Sequence, residues 1–360
     1  MRTRHRASAG HFSNVMSPAS SSAREPRAAI FGCAGLALSE AERDFFRTAN
    51  PLGFILFQRN CADPDQVRAL VASLRDCIGA PDAPVLIDQE GGRVARLKPP
   101  HWREYPAAAR LAAAASPREA TFLAARLMAH DLMALGITVD CAPVLDLAIA
   151  GADPIIGDRA YGEAPAKIAD LGRAACEGLL AGGVLPIIKH IPGHGRATVD
   201  SHKALPTVTA SAQDLAETDF APFRALNDMP WAMTAHIVYR ALDPDRPATL
   251  SRRLIAETIR ASIGFGGVLI SDDLSMAALP GTLAERAKGA LEAGCDVVLH
   301  CNGDPVEMTA IAGSIGPLTP GAHRRLARGE ARRRAADQGA GAFDCEAAAV
   351  RLAALIGARP

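Results

Sequence analysis

Short apolar runs alternate along this chain with longer segments of helical periodicity, and each run ends abruptly in polar residues. The runs are Ala28–Cys33, Gly53–Phe57, Pro84–Asp88, Ile137–Cys141, Val184–Lys189, Ala232–His236, Gly267–Asp272 and Asp296–His300. Amphipathic segments lie between them at 64–78, 117–135, 164–181, 211–227, 251–263, 282–293 and 305–314. Continuously apolar strands, as opposed to alternating ones, belong to a parallel sheet that helices cover on the outside. Asp63-Pro64, Ser116-Pro117 and Asp304-Pro305 each place a capping side chain before a proline suited to the first helical turn. Eight strand-helix units predict an α/β fold, a (β/α)8 TIM-type barrel in a single domain over residues 28–318. A doubly wound open sheet is the second architecture, but no G-x-G-x-x-G follows the first strand and no Walker A motif is present.

Outside the barrel, residues 1–27 are basic, Ser/Ala-rich and acid-poor, without the apolar stretch of a secretory signal. They read as a disordered extension, or as sequence preceding the true start. Residues 319–360 read as a helical tail that packs on the barrel.

Composition narrows the class. At 360 residues the chain can bury a large core, and its 39 basic and 39 acidic residues cancel. The balance argues against a polyanion such as nucleic acid as partner. No window reaches the roughly 18–20 apolar residues of a membrane span. The eight cysteines form no C-x-x-C pair and no Cys/His ligand spacing, which suits free thiols in a reducing compartment. The expectation is a soluble cytoplasmic monomer that works without cofactor or metal on a small molecule.

In a parallel barrel, the loops after the strands' carboxyl ends form the site. The densest is Lys189-His190-Ile191-Pro192-Gly193-His194-Gly195-Arg196-Ala197-Thr198-Val199-Asp200-Ser201-His202. Asp88 opens a second, Gln89-Glu90-Gly91-Gly92-Arg93-Val94-Ala95-Arg96, and Arg159 lies in a third after Asp140 and Asp146. At Ser271-Asp272-Asp273, successive strand residues point to opposite faces, so one carboxylate alone faces the barrel axis; Asp272 is the choice. His236 and His300 end two further strands, as site residues or as structural groups at the rim. Three histidines at 190, 194 and 202 keep a metal-dependent barrel hydrolase open, although they sit on a Pro/Gly loop and not on a helix face. The carboxylate two residues from His202 offers that imidazole a different role, as a general acid/base.

Five ordered motifs resemble the single-barrel β-N-acetylglucosaminidases of glycoside hydrolase family 3, the bacterial type of peptidoglycan recycling. They are Asp88–Val94, Ile156–Gly162, Lys189–Gly195, Asp200-Ser201-His202 and Ser271–Met276, and the resemblance spans roughly residues 28 to 310. It implies that Asp272 is a nucleophile forming a covalent glycosyl intermediate and that His202, held by Asp200, is the acid/base. It implies as well that Asp88, Arg96, Arg159, Lys189 and His190 bind a terminal N-acetylglucosamine, the substrate being a carbohydrate such as a muropeptide. Ala160 and Tyr161 depart from the Ser and Phe more usual in the family. A histidine does not repel phosphate as a carboxylate would, so phosphorolysis on the same scaffold stays open. So does a sugar-binding module without turnover.

Overall fold

A computed structural model of the chain describes residues 24–339 and 341–357. Its strands are β1 (Arg27–Phe31), β2 (Pro51–Leu56), β3 (Val85–Ile87), β4 (Val139–Asp140), β5 (Leu185–Ile191), β6 (Thr207–Val208), β7 (Trp231–Thr234), β8 (Val238–Tyr239), β9 (Val268–Asp273) and β10 (Val297–His300). Eight of them close a parallel barrel in the order β1-β2-β3-β4-β5-β7-β9-β10, with β10 returning to β1. These eight are the expected ones, and the fold is the TIM-type barrel. The short β6 and β8 pair with each other outside it, and the apolar pattern of the chain does not mark them.

Two apolar layers hold the barrel. The lumen is filled by Ile30, Ile55, Leu86, Val139, Ile187, Trp231, Met233, Ile270 and Leu299, while the opposite strand faces pack under the helical ring. Each large aliphatic side chain buried this way contributes on the order of 1.5–3 kcal/mol of transfer free energy. The lumen's amino-terminal mouth is closed by the helix Pro320–Gly339: Leu318 and Ala322 join the lumen cluster and Leu326 packs against it. Arginines staple that helix in place, Arg325 to Asp296, Arg328 to the Gly266 carbonyl, Arg332 to Asp228 and Arg333 to the Gly183 carbonyl.

Asp63 and Asp304 accept capping bonds from Gln66 and from Val306 and Glu307, as the cap-proline pattern predicts. Ser116 does not, for its ψ of 88° turns the hydroxyl away from the extended geometry seen at Asp63 (168°). The expected helix over 211–227 is two short ones, Ala212–Glu217 and Ala221–Ala225. Thr218 bonds back to the Asp214 carbonyl and Asp219 turns out to hold Arg196, and Pro222 can only enter a first turn. The 251–263 segment winds as a π-helix, Leu254–Ser262.

The expected extension, residues 1–27, lies outside the described residues up to 23. Arg24 to Arg27 are tied down: Arg24 donates to the Thr48 carbonyl, and the Pro26 carbonyl accepts from Leu318 N. No helix among the described residues is long and apolar enough to cross a membrane.

Candidate active site

The carboxyl ends of β3, β4, β5, β7 and β9 and their loops enclose a cavity of about 190 Å³, lined by Asp88, Glu90, Arg93, Arg96, Arg159, Lys189, His190, His194, Ser201, His202, Met233 and Asp272 among others. All of the expected site residues except Asp200 line it, and Asp200 stands directly behind His202.

Its floor is a chain of alternating charges. Arg96 donates to Asp88 at 3.1 Å, Lys189 Nζ bridges Asp88 at 3.0 Å and Glu90 at 2.6 Å, and Arg159 grips Glu90 with two parallel bonds of 2.8 Å. Such forked, charge-assisted contacts fix direction as well as position. Burial on its own would raise both carboxyls, but the cations outweigh it. Lys189 and Arg96 hold Asp88 well below the usual carboxylate range, and Lys189 and Arg159 bring Glu90 down to about 2. The sequence does not single out Glu90. Its partners Arg159 and Lys189 lie far downstream in the chain, and the one local signal is its place in a Gly-Gly turn.

Lys189 and His190 are adjacent on a strand yet both reach the cavity. The register of β5 against β7 shifts between Lys189 and Ile191, so the regular alternation of strand faces is interrupted there. Asp146, to which the sequence assigns no role, anchors two of the loop's histidines: it accepts His190 Nδ1 at 2.6 Å and His194 N at 2.6 Å. His194 Nε2 meets Ser201 Oγ at 3.0 Å, and burial together with the charge of His190 pushes its pKa down to about 4. His202 Nδ1 meets Asp200 Oδ1 at 2.8 Å. The three histidines of the metal alternative are thus committed to three different partners. Among the described residues, no three His, Cys, Asp or Glu side chains converge in a way that could hold an ion.

Strand alternation separates the paired aspartates. Asp272 lines the cavity. Asp273 turns away to accept Ser275 Oγ at 2.6 Å and the Cys301 backbone. Burial would raise Asp272, but His190, His236, the Asp273 N–H and Lys189 together lower it, so the carboxylate is held ionised. His236 and His300 take the structural alternative: neither lines the cavity, His236 lying between Thr249 and the Asp273 carbonyl, and His300 buried 3.3 Å from Glu307. Arg93 pins the loop over the cavity, donating to Asp158 and the Ile155 carbonyl.

An ionised carboxylate and an imidazole facing one cavity, above a floor of fixed polar groups, is an arrangement for displacement at a polar, neutral substrate. Known proteins resemble the chain over most of its length. The model of the glycosyl hydrolase family 3 N-terminal domain matches residues 32–322. A beta-hexosaminidase from Alkalilimnicola ehrlichii is 39% identical over 308 residues, 83% of this chain and 87% of that protein. One from Pseudomonas aeruginosa is 39% identical over 271 residues, 74% and 80%. Among solved structures, NagZ from Neisseria gonorrhoeae in complex with N-trifluoroacetyl-D-glucosamine superposes with a TM-score of 0.80 at 31% identity, covering 92% of this chain and 98% of that one. A family 3 beta-N-acetylglucosaminidase from a Paenibacillus species gives 0.78 at 32%, covering 91% and 66%. With its barrel, its strand-end site and the match over most of its length, the chain belongs to glycoside hydrolase family 3.

Proposed function

We propose that the protein is a retaining exo-β-N-acetylglucosaminidase that releases terminal N-acetylglucosamine from peptidoglycan fragments in the cytoplasm, through a glycosyl intermediate on Asp272. The observation that carries the reading is the pair Asp272 and His202 on one cavity, the first ionised, the second held by a carboxylate. The relatives named beta-hexosaminidase support the class of sugar.

In this reading Asp88, Arg96, Arg159, Lys189 and His190 bind the sugar's hydroxyls and acetamido group, already held by one another, by Glu90 and by Asp146, so that little side-chain entropy is lost on binding. Asp200 accepts a hydrogen bond from His202 Nδ1–H, which leaves Nε2 to serve the glycosidic oxygen. His202 in its protonated form donates from Nε2 to the departing oxygen as the Asp272 carboxylate bonds to the anomeric carbon. The now neutral imidazole then takes a proton from water, the water oxygen attacks the same carbon, and Asp272 leaves. Two displacements at one carbon retain the β configuration.

The test is release of nitrophenol from its β-N-acetylglucosaminide, with Asp272→Asn as control. Release by the parent and none by the variant is expected; equal rates would overturn the assignment. Products from N-acetylglucosaminyl-anhydromuramic acid, with and without phosphate, decide the natural aglycone and whether water or phosphate accepts the sugar.

A further inference from the structure

We infer that Ser201 is a positioning residue for proton transfer: its hydroxyl latches the Asp200–His202 turn onto His194 and so sets where His202 stands over the cavity. The inference rests on the reading of His202 as acid/base, and it concerns what places that histidine.

The loop after β5 has two halves with different footing. Residues 193–197 are bound on every side. His194 N donates to Asp146, Arg196 to Asp219 and Thr218, and the Ala197 carbonyl accepts from Asp153 N. Gly195 sits so close that a Cβ would lie 2.2 Å from the Leu147 carbonyl oxygen. Across residues 198–205, all of them described, Ser201 is the only buried residue, at 3% exposure. Val199 and Leu205 face outward, and the His202 side chain is 62% exposed.

The bonds around His202 divide in the same way. Asp200 accepts His202 Nδ1 and His202 N, and its carbonyl accepts Lys203 N and Ala204 N. All four lie inside the turn, and they would persist if the whole turn swung away. What ties it to the barrel is Ser201: its Oγ is 3.0 Å from His194 Nε2, and its carbonyl accepts Ala278 N at 3.2 Å, from the segment that comes after Asp272. The His194 ring has no other hydrogen-bond partner among the described residues, as its Nδ1 is buried without one. Asp200 therefore orients the imidazole and Ser201 places it. Because His194 N and His190 share Asp146, the latch stands on the carboxylate that also steadies the sugar-binding histidine.

The experiment compares Ser201→Ala, His202→Ala and the double variant on two β-N-acetylglucosaminides. One has a dinitrophenyl leaving group that departs without protonation, and the other an alkyl leaving group that does not. Ser201→Ala is expected to lower kcat/KM about fivefold on the alkyl glycoside, the worth of one hydrogen bond, and much less on the dinitrophenyl one. It should add nothing in the His202→Ala background, and amide exchange across 198–205 should quicken while the barrel strands keep their protection. Equal losses on both substrates, a further loss in the double variant, or no loss with unchanged exchange would each overturn the latch. A His202→Ala enzyme that processes the alkyl glycoside at the parental rate would instead overturn the acid/base reading on which the latch depends.

Discussion

Glu90→Gln removes one charge from the centre of the Arg96–Asp88–Lys189–Glu90–Arg159 chain while keeping the side chain's shape. The Glu90 side chain is 6% exposed and sits between Lys189 and Arg159, so solvent screens little of the interaction. A carboxyl whose pKa falls from 4.5 in the unfolded chain to about 2 in the fold contributes on the order of 3 kcal/mol at neutral pH. Because the folded value is the lower one, that stability is complete above the unfolded pKa and is lost as pH falls toward the folded one. For a chain of this length, a loss of on the order of 3 kcal/mol lowers the melting temperature by about 4 °C. Calorimetry of parent and variant at pH 7 should show this gap, and it should narrow as pH is brought below about 4.5, where Glu90 of the unfolded parent becomes protonated. Binding should suffer as well, with a raised KM, because Lys189 and Arg159 lose their shared anchor. Equal melting temperatures at pH 7, or a gap that does not narrow in acid, would refute the charge-chain reasoning.

Particular contacts set three further outcomes. In a His202→Ala background with a dinitrophenyl glycoside, the acid limb of kcat/KM reports Asp272; activity should persist below the usual carboxylate range and fall only as the lowered pKa is crossed. Gly195→Ala forces a Cβ onto the Leu147 backbone, and should cost about 1–3 kcal/mol by denaturant titration together with a fall in kcat. Asp296 is buried and receives Arg260, Arg325 and Leu269 N, so Asp296→Ala strands two arginines and should cost about 3 kcal/mol in the same titration, with KM unchanged in the folded enzyme.

Much of this molecule is legible in its sequence because the signals are local. Apolar runs ending in polar residues mark the barrel strands, and strand alternation alone separates Asp272 from Asp273. Motif order supplies the rest of the expected site. The features that escape depend on contacts remote in sequence or on irregular backbone. Glu90 and Asp146 act through partners distant in sequence, and the register shift at Lys189–Ile191, where both Lys189 and His190 reach the cavity, leaves no compositional trace. The split at Thr218–Phe220 arises from Asp219 reaching Arg196, which outweighs a continuous helical pattern. The Arg-rich helix 320–339 reads as a tail packed on the barrel, but its place at the amino-terminal mouth is set by partners far away in the sequence.

The central claim is that Asp272 becomes glycosylated during turnover. A fluorinated N-acetylglucosaminyl donor that forms the intermediate quickly and hydrolyses it slowly should label the enzyme once, and peptide mass spectrometry should place the sugar on the fragment carrying Asp272. An unlabelled enzyme that still turns the donor over, or a label on another residue, would contradict it.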